Sequence, residues 1–580
     1  MLFNWKRAAT QAAKKTYDYV IVGGGSAGCV LANRLTECGS KSVLLLEAGP
    51  SDVPVHNKLG KLINWTIHMP SAMMYNLNHD KYNWFYHTVP QPNVNNRKFY
   101  WPRGRVLGGS SSLNAMVYVR GHAEDQNRWA RECGDETWNY DHMLPYFKRA
   151  QCFYKGGDLY RGGDGPLHVT EGSFEATPLF DAFIEAGVQA GYPKSDDLNG
   201  FQQEGFGRLP CTVNINEGTR WNTASAYLRP ALKRENLDVL TSTFTDKILF
   251  NRTTATGVQI SHFKRADKKV EINAGEVILC SGAINSPQLL LQSGIGNADE
   301  LKSVGVEPRI NLPGVGENLQ DHLEVYVQHK TTRGKSLYKY QHIPWMQAIG
   351  VQWFLQGKGV CAGNQMHAGA FIRSRADPEI NHPDIQFHFL PSQVIDHGRT
   401  LPKEEAFQAH VGTLRAKSFG SLKLKSNNPR DHPVIDPRYF TDPVDLPDLV
   451  AAVKLTREIF AQKAMDEHRL EEIIPGKKYQ SDSEIAEWVK EAAETAYHPS
   501  CSAKMGKEDD PMTVVNSKCM VMGAQNLRVV DSSIMPSVAS GNLNAPTIAI
   551  AERASDIIRG FEPLHMPNTP VFKSDTSKQR

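Results

Sequence analysis

The 580 residues carry 65 Lys and Arg against 62 Asp and Glu, a net charge of +3 scattered along the chain. That balance lacks the concentrated basic footprint of nucleic-acid binding, and the nine cysteines, odd in number and without a CxxC pair, fit neither a disulfide framework nor a zinc site. No apolar run reaches the ~18 to 20 residues that span a bilayer, so membrane contact, if any, is peripheral.

In chain order, the opening MLFNWKRAATQAAKKTY holds Lys6, Arg7, Lys14 and Lys15 and no acid, which suits a short mitochondrial presequence over residues 1–16. A strand is expected from Tyr17 to Val22, then a glycine turn, a helix from Ser26 to Thr36, a stop at Cys38 and Gly39, and an apolar strand from Ser42 to Leu46. This βαβ unit carries GxGxxG at Gly23, Gly25 and Gly28, and Glu47 ends its second strand where an acid meets a ribose hydroxyl. The glycines permit a tight turn and close approach to a pyrophosphate, while the helix N-terminus offers unpaired N–H groups and a partial positive charge. On this motif alone the dinucleotide is FAD or NAD. Further on, EVILCSGAINSPQLLLQSGIG (Glu276 to Gly296) predicts a buried strand, a small-residue turn, and a helix capped by Ser286 with Pro287 at its first position. Leu323 to Gln328 alternates as a strand does, with Leu323, Val325 and Val327 on one side and Glu324, Tyr326 and Gln328 on the other. A last cofactor-type segment, NLRVVDSSIMPSVASGNLNAPTIAIAERASDII, lies near the C-terminus.

Two long segments, RGRVLGGSSSLNAMVYVRG (Arg103 to Gly121) and GAINSPQLLLQSGIG (Gly282 to Gly296), resemble the signatures of the glucose-methanol-choline (GMC) oxidoreductase family. The resemblance runs from about Tyr17 to Gly560 and implies an α/β fold: a Rossmann-type FAD-binding domain assembled from 17–150, 211–314 and 501–565. An α+β substrate domain with an antiparallel sheet is then expected from 151–210 and 315–500, leaving 566–580 as a tail. It further implies FAD as cofactor, with Gly108, Gly109, Ser110, Asn114 and Asp531 contacting it. AYHPSCSAKMG places His498 at the family's catalytic histidine and GNLNAPT places Asn544 at its His or Asn partner. A histidine suits this place because hydride leaves a carbinol carbon readily only when the hydroxyl proton is taken.

YNWFYHT, MVYVRGHAED, DLNGFQQEGFG and HPDIQFHFLPSQVIDHG resemble choline-oxidising members of that family, implying oxidation of choline to betaine aldehyde. The implied acceptor is a quinone or electron carrier at a membrane, so an inner-membrane mitochondrial location is expected. A quaternary ammonium offers no hydrogen bond and asks for aromatic faces and a carboxylate. Glu324 fills the carboxylate's place, Tyr497 looks like a cage aromatic, and Trp65 and Trp345 are further candidates. Family members that link FAD covalently have a histidine where Leu113 stands, so noncovalent FAD is expected.

Overall fold

The computed structural model describes residues 5–172 and 177–580. Its first sheet is built on Thr16–Val22, an apolar strand buried at Val20, Ile21 and Val22, with parallel neighbours Val43–Leu46 and Arg265–Leu279 on its two sides. Leu237–Leu240 extends it in parallel beyond Val43–Leu46, and Leu527–Val529 pairs in parallel with the end of Arg265–Leu279. The first half of that long strand turns instead to an antiparallel ribbon with Thr254–His262 and Thr243–Asn251. Parallel pairing needs crossover connections, so distant stretches of chain meet in one sheet.

The second sheet is antiparallel throughout, in the order Arg469–Ile474, Leu323–Thr331, Ala406–Thr413, Ile385–Leu390, Ala368–Ile372, Gly205–Arg208. Its strands alternate. Val325, Val327, Phe387, Phe389, Phe407 and Ala409 are fully buried apolar positions, and Phe389 stacks on Phe183 of the helix Leu179–Gln189 at 4.6 Å between ring centroids. The intervening Glu324, Tyr326, Gln328, Gln386, His388, Gln408 and His410 make the opposite, polar face. The expected alternation over Leu323–Gln328 and the expected α/β architecture with an antiparallel second sheet are both found.

Two expectations about the helix after Arg265–Leu279, its cap and the place of its proline, are corrected. The helix after Arg265–Leu279 begins at Gly282, so Ser286 is not its cap and Pro287 sits inside it. Proline there lacks the N–H that would bond the Ala283 carbonyl, and Ser502 Oγ–H donates to that carbonyl instead, at 2.5 Å. Residues 1–4 lie outside the described residues, but Trp5–Ala12, within the stretch that reads as a presequence, is a helix packed on the first sheet. Ala9 and Ala12 are buried there, and Trp5 Nε1–H donates to Thr243 Oγ1 at 2.7 Å.

The C-terminal helix Asn544–Arg559 locks the first domain through Glu552, whose carboxylate is wholly buried. It accepts from Arg34 Nε and Nη2 at 2.9 and 2.8 Å, Arg149 Nε at 2.8 Å and Tyr227 OH at 2.8 Å. Removing one member of such a desolvated network costs about 3–5 kcal/mol, because the remaining charges keep their burial without their partner. Glu552→Ala is therefore expected to lower stability by that amount in urea unfolding of the FAD-loaded protein, and a loss under about 1 kcal/mol would contradict the assignment.

Candidate functional site

Val22, Leu46, Leu279 and Val529 end four parallel strands in register. The residues just beyond these ends, Gly23, Glu47, Gly282 and Asp531, all line one cavity of about 360 Å3. A crevice at the carboxyl ends of parallel strands is where such sheets bind ligands. Ser26–Thr36 supplies the helix, with Gly25 at its N-cap position, and a Cβ on Gly109 would come within 2.6 Å of the Gly25 Cα. The two glycines thus let the chain segments pass in contact along the cleft wall.

Glu47 is buried and accepts from the backbone N–H of Gly24 at 2.9 Å and of Gly49 at 2.8 Å. Burial nevertheless pushes its carboxyl up to about 7, because the two amide bonds compensate only part of the lost hydration. Asp531 accepts from Ser286 Oγ at 2.6 Å and from the Gly282 and Ser533 amides at 2.8 Å each, and burial raises it too. Ser110 and Asn114 line the same cleft. Gly28 and Gly108 do not, which corrects their reading as contacts. A Cβ on Gly28 would stand 1.9 Å from the Gly23 carbonyl oxygen, so it serves helix-to-strand packing, and Gly108 serves a turn at φ +87°. Behind the loop, the fully buried Arg220 donates through Nη1 to the Asn114 carbonyl at 2.7 Å and to Asn114 Oδ1 at 2.8 Å. Burial without a carboxylate partner pulls its guanidinium down to about 9. A glycine-backed cleft with acids at its strand ends and a helix N-terminus at its mouth fits FAD.

At the other end of the cavity His498 is held by its backbone, whose N–H donates to Asp321 Oδ1 at 2.8 Å. Asp321 also accepts from Thr495 Oγ1 at 2.6 Å and Tyr439 OH at 2.5 Å, and burial still raises it to about 6. His498 Nδ1 lies 3.1 Å from His322 Nδ1, and its Nε2 lies 3.2 Å from Asn542 Nδ2. Burial first, then the neighbouring His322, His388 and Arg103, hold His498 well below the usual imidazole range, which favours the neutral ring. Asn542 Oδ1 accepts from Gln386 Nε2 at 3.2 Å, which turns its amide N–H groups toward His498.

The partner of His498 is thus Asn542 and not Asn544. GNLN offers two asparagines two residues apart; Asn544 opens the last helix and its Oδ1 accepts from Ser26 Oγ at 2.8 Å, on the cofactor side. Asn542, in the preceding loop, is free to face the other way.

Glu324 and Tyr497 line the same cavity as His498. Glu324 Oε1 lies 3.1 Å from His410 Nδ1, and the direction of this bond is fixed two residues away. Val394 N–H, which can only donate, bonds Gln408 Oε1 at 2.8 Å, so Gln408 turns its amide nitrogen to His410 Nε2. Nε2 therefore accepts, the ring proton stands on Nδ1, and Glu324 receives it as a carboxylate. Burial would raise the Glu324 pKa, but His410 and then His388 outweigh it and hold the carboxyl below the usual range. Tyr326 stacks on His410 at 4.0 Å between centroids, and Tyr497, at φ +65°, is pinned by its OH to His397 Nδ1 at 2.6 Å.

Trp65 and Trp345 are absent from this cavity, against expectation. Trp65 packs edge-on against Tyr75 and Phe354, and Trp345 is exposed on the helix Trp345–Gln356. Asn542, His322, His410 and Arg220 escape a reading of the sequence because neither spacing nor periodicity brings their distant segments together.

The family model for GMC oxidoreductases matches residues 17–324 and again 416–551. The mitochondrial choline dehydrogenase of Mus musculus is 54% identical over 98% of this chain and 94% of its own length. The oxygen-dependent choline dehydrogenase of Staphylococcus xylosus is 47% identical over 95% of this chain and 96% of its own. Among solved structures, pyridoxine 4-oxidase from Mesorbium loti superposes with a TM-score of 0.83 at 30% identity, covering 94% of this chain and all of that one. With its cleft, its two sheets and these matches over most of its length, the chain belongs to the GMC oxidoreductase family.

Proposed function

We propose that this enzyme oxidises choline to betaine aldehyde and passes the electrons to a quinone or carrier at a membrane. The observation that carries the substrate is a buried carboxylate, Glu324, sharing one cavity with a neutral histidine and the aromatic Tyr497. The mouse and staphylococcal relatives are choline dehydrogenases.

In this reading His498 takes the hydroxyl proton at Nε2, and Asn542 donates an amide N–H to the same oxygen without competing for its proton. FAD, held noncovalently because Leu113 offers no nucleophile, supplies the hydride acceptor when bound. Gly23, Gly25, Gly109, Ser110, Asn114, Glu47 and Asp531 hold it in the cleft. Glu324 attracts the quaternary ammonium in a low-dielectric pocket, and Tyr497 gives it a ring face worth about 0.5–2 kcal/mol. Both contributions vanish for a neutral alcohol of the same shape. Mitochondrial location is supported by the basic, acid-free start of the chain and by the mouse relative's name. A second reading, with oxygen as the acceptor, is favoured by the staphylococcal relative's name, and the peroxide yield in air separates the two.

Glu324→Gln keeps an oxygen for the His410 Nδ1–H and removes only the charge. It is expected to lose at least about 30-fold in kcat/KM for choline, mostly through KM, the scale of truncating a desolvated charge pair. For 3,3-dimethylbutan-1-ol, the neutral isostere, little should change; equal losses on both alcohols would mean damage to the site, and none on choline would remove Glu324 as counter-charge.

The two asparagines give a second test. Asn542→Ala is expected to slow anaerobic flavin reduction by at least about 10-fold at saturating choline, as loss of a donor to the reacting oxygen does. Asn544→Ala should instead weaken FAD retention and leave the reduction rate of the loaded enzyme within about threefold. The opposite ranking would restore Asn544 as the partner of His498.

A further inference from the structure

The helix Trp345–Gln356, WMQAIGVQWFLQ, has no charged residue and no polar face, yet only Trp353 on it is buried. Val351 and Leu355, one turn apart, are 56% and 78% exposed, and Trp345, Met346 and Phe354 are exposed beside them. The inner side rests on a small cluster with Trp65 and Leu62, so the exposed Leu59 and Ile63 of the helix Lys58–Ile63 continue the same face. Monomeric soluble proteins rarely leave a contiguous apolar surface of this kind open to water.

In sequence the charges flanking the helix have one sign, and in the fold Glu405 comes beside the more distant Lys335, accepting from the Gly334 N–H at 2.8 Å and the Ser336 hydroxyl at 3.0 Å. Between Glu324 and Asp377 the chain has no acid, while Arg333, Lys335, Lys339 and Lys358 flank the helix; between Asp52 and Asp80 there is none either, and Lys58 and Lys61 are present. Glu217, near the helix's C-terminal end, is already paired with Lys61 at 2.6 Å. Lys339 Nζ stands over the Trp345 ring at 5.9 Å from its centroid, which puts a cation at the N-terminal end of the apolar helix. At about 18 Å the helix is too short for the ~30 Å hydrocarbon core, and no described helix is long and apolar enough to cross a membrane.

We propose that this face is the site by which the enzyme lies on an anionic phospholipid bilayer, the apolar side chains entering the headgroup boundary and the lysines meeting lipid phosphates. A second copy of the chain fits less well, since apposing two such faces would bring basic rims together. The face also continues toward the cavity: Trp65 touches Tyr75 of the helix Met73–Leu77, and Met73, Met74 and Leu77 line the cavity. A lipid-dissolved acceptor would therefore arrive beside the reduced cofactor. The inference deepens the reading of a membrane-borne acceptor and rests on it for its purpose, but lipid binding is measured separately from the reaction.

The test is flotation of the FAD-loaded enzyme with vesicles of phosphatidylcholine alone or mixed with phosphatidylglycerol. The parent should float with the mixed vesicles and be released by salt. Val351→Ser/Leu355→Ser and, separately, Lys339→Glu/Lys358→Glu should each lower partition by about tenfold or more. Flavin reduction by choline in solution should be unchanged in both. Parent that stays down, or variants that float as well as the parent, would overturn the proposal. So would self-association of the parent that the serine pair abolishes, which would assign the face to a second copy. If the parent floats but choline fails to reduce its flavin, the substrate reading falls and the lipid face stands.

Discussion

Asp321 is the constraint on which the site depends. It directly precedes His322 and the strand that carries Glu324, and its carboxylate accepts the backbone N–H of His498 together with the Thr495 and Tyr439 hydroxyls. One buried group thus ties the loop bearing His498 to the strand bearing Glu324. Burial raises its pKa even against three donors, so the fold accepts a cost for position. The same pattern recurs at Glu47 and Asp531, whose carboxylates hold backbone amides at the strand ends where the cofactor cleft opens. The chain places acids where geometry must be fixed rather than where ionisation is easy.

Two residues of the cavity, His498 and Glu324, meet burial in opposite ways. At His498 lost hydration first, and then the neighbouring His322, His388 and Arg103, favour the neutral ring, the form that can take a proton. At Glu324 the imidazoles of His410 and His388 outweigh lost hydration and keep the carboxylate charged, the form that meets a cation. The Val394 amide, through Gln408, sets which nitrogen of His410 bears the proton. Alternation of the second sheet is what permits this, since its aromatic and aliphatic residues pack on helices and leave Glu324, Tyr326, His388 and His410 to line the cavity.

Much of the first domain was legible in the sequence because its signals are local. Ser26–Thr36 is found with the bounds expected, and its neighbouring strands differ by one residue. Glu324, Tyr497 and His498 were legible through motif resemblance, and the three share one cavity. Gly28 and Gly108 were misread because a glycine needed for packing or a turn looks the same in sequence as one that faces a ligand. Pro287 was misplaced because the compensating donor, Ser502, lies more than two hundred residues away. Asn542 and Asn544 could not be told apart, since which of them faces His498 is set by where the last helix begins. The tryptophans show the limit of residue type as a guide: an aromatic suits a cation, but Trp65 and Trp345 belong to an outer face.

Anaerobic mixing of the FAD-loaded enzyme with choline tests the central claim most directly, that this cavity takes a hydride from a cationic alcohol. Bleaching of the oxidised flavin absorbance, saturating with choline and restored by an added quinone, is the result expected. A flavin that stays yellow with choline and bleaches with a neutral alcohol instead would contradict it.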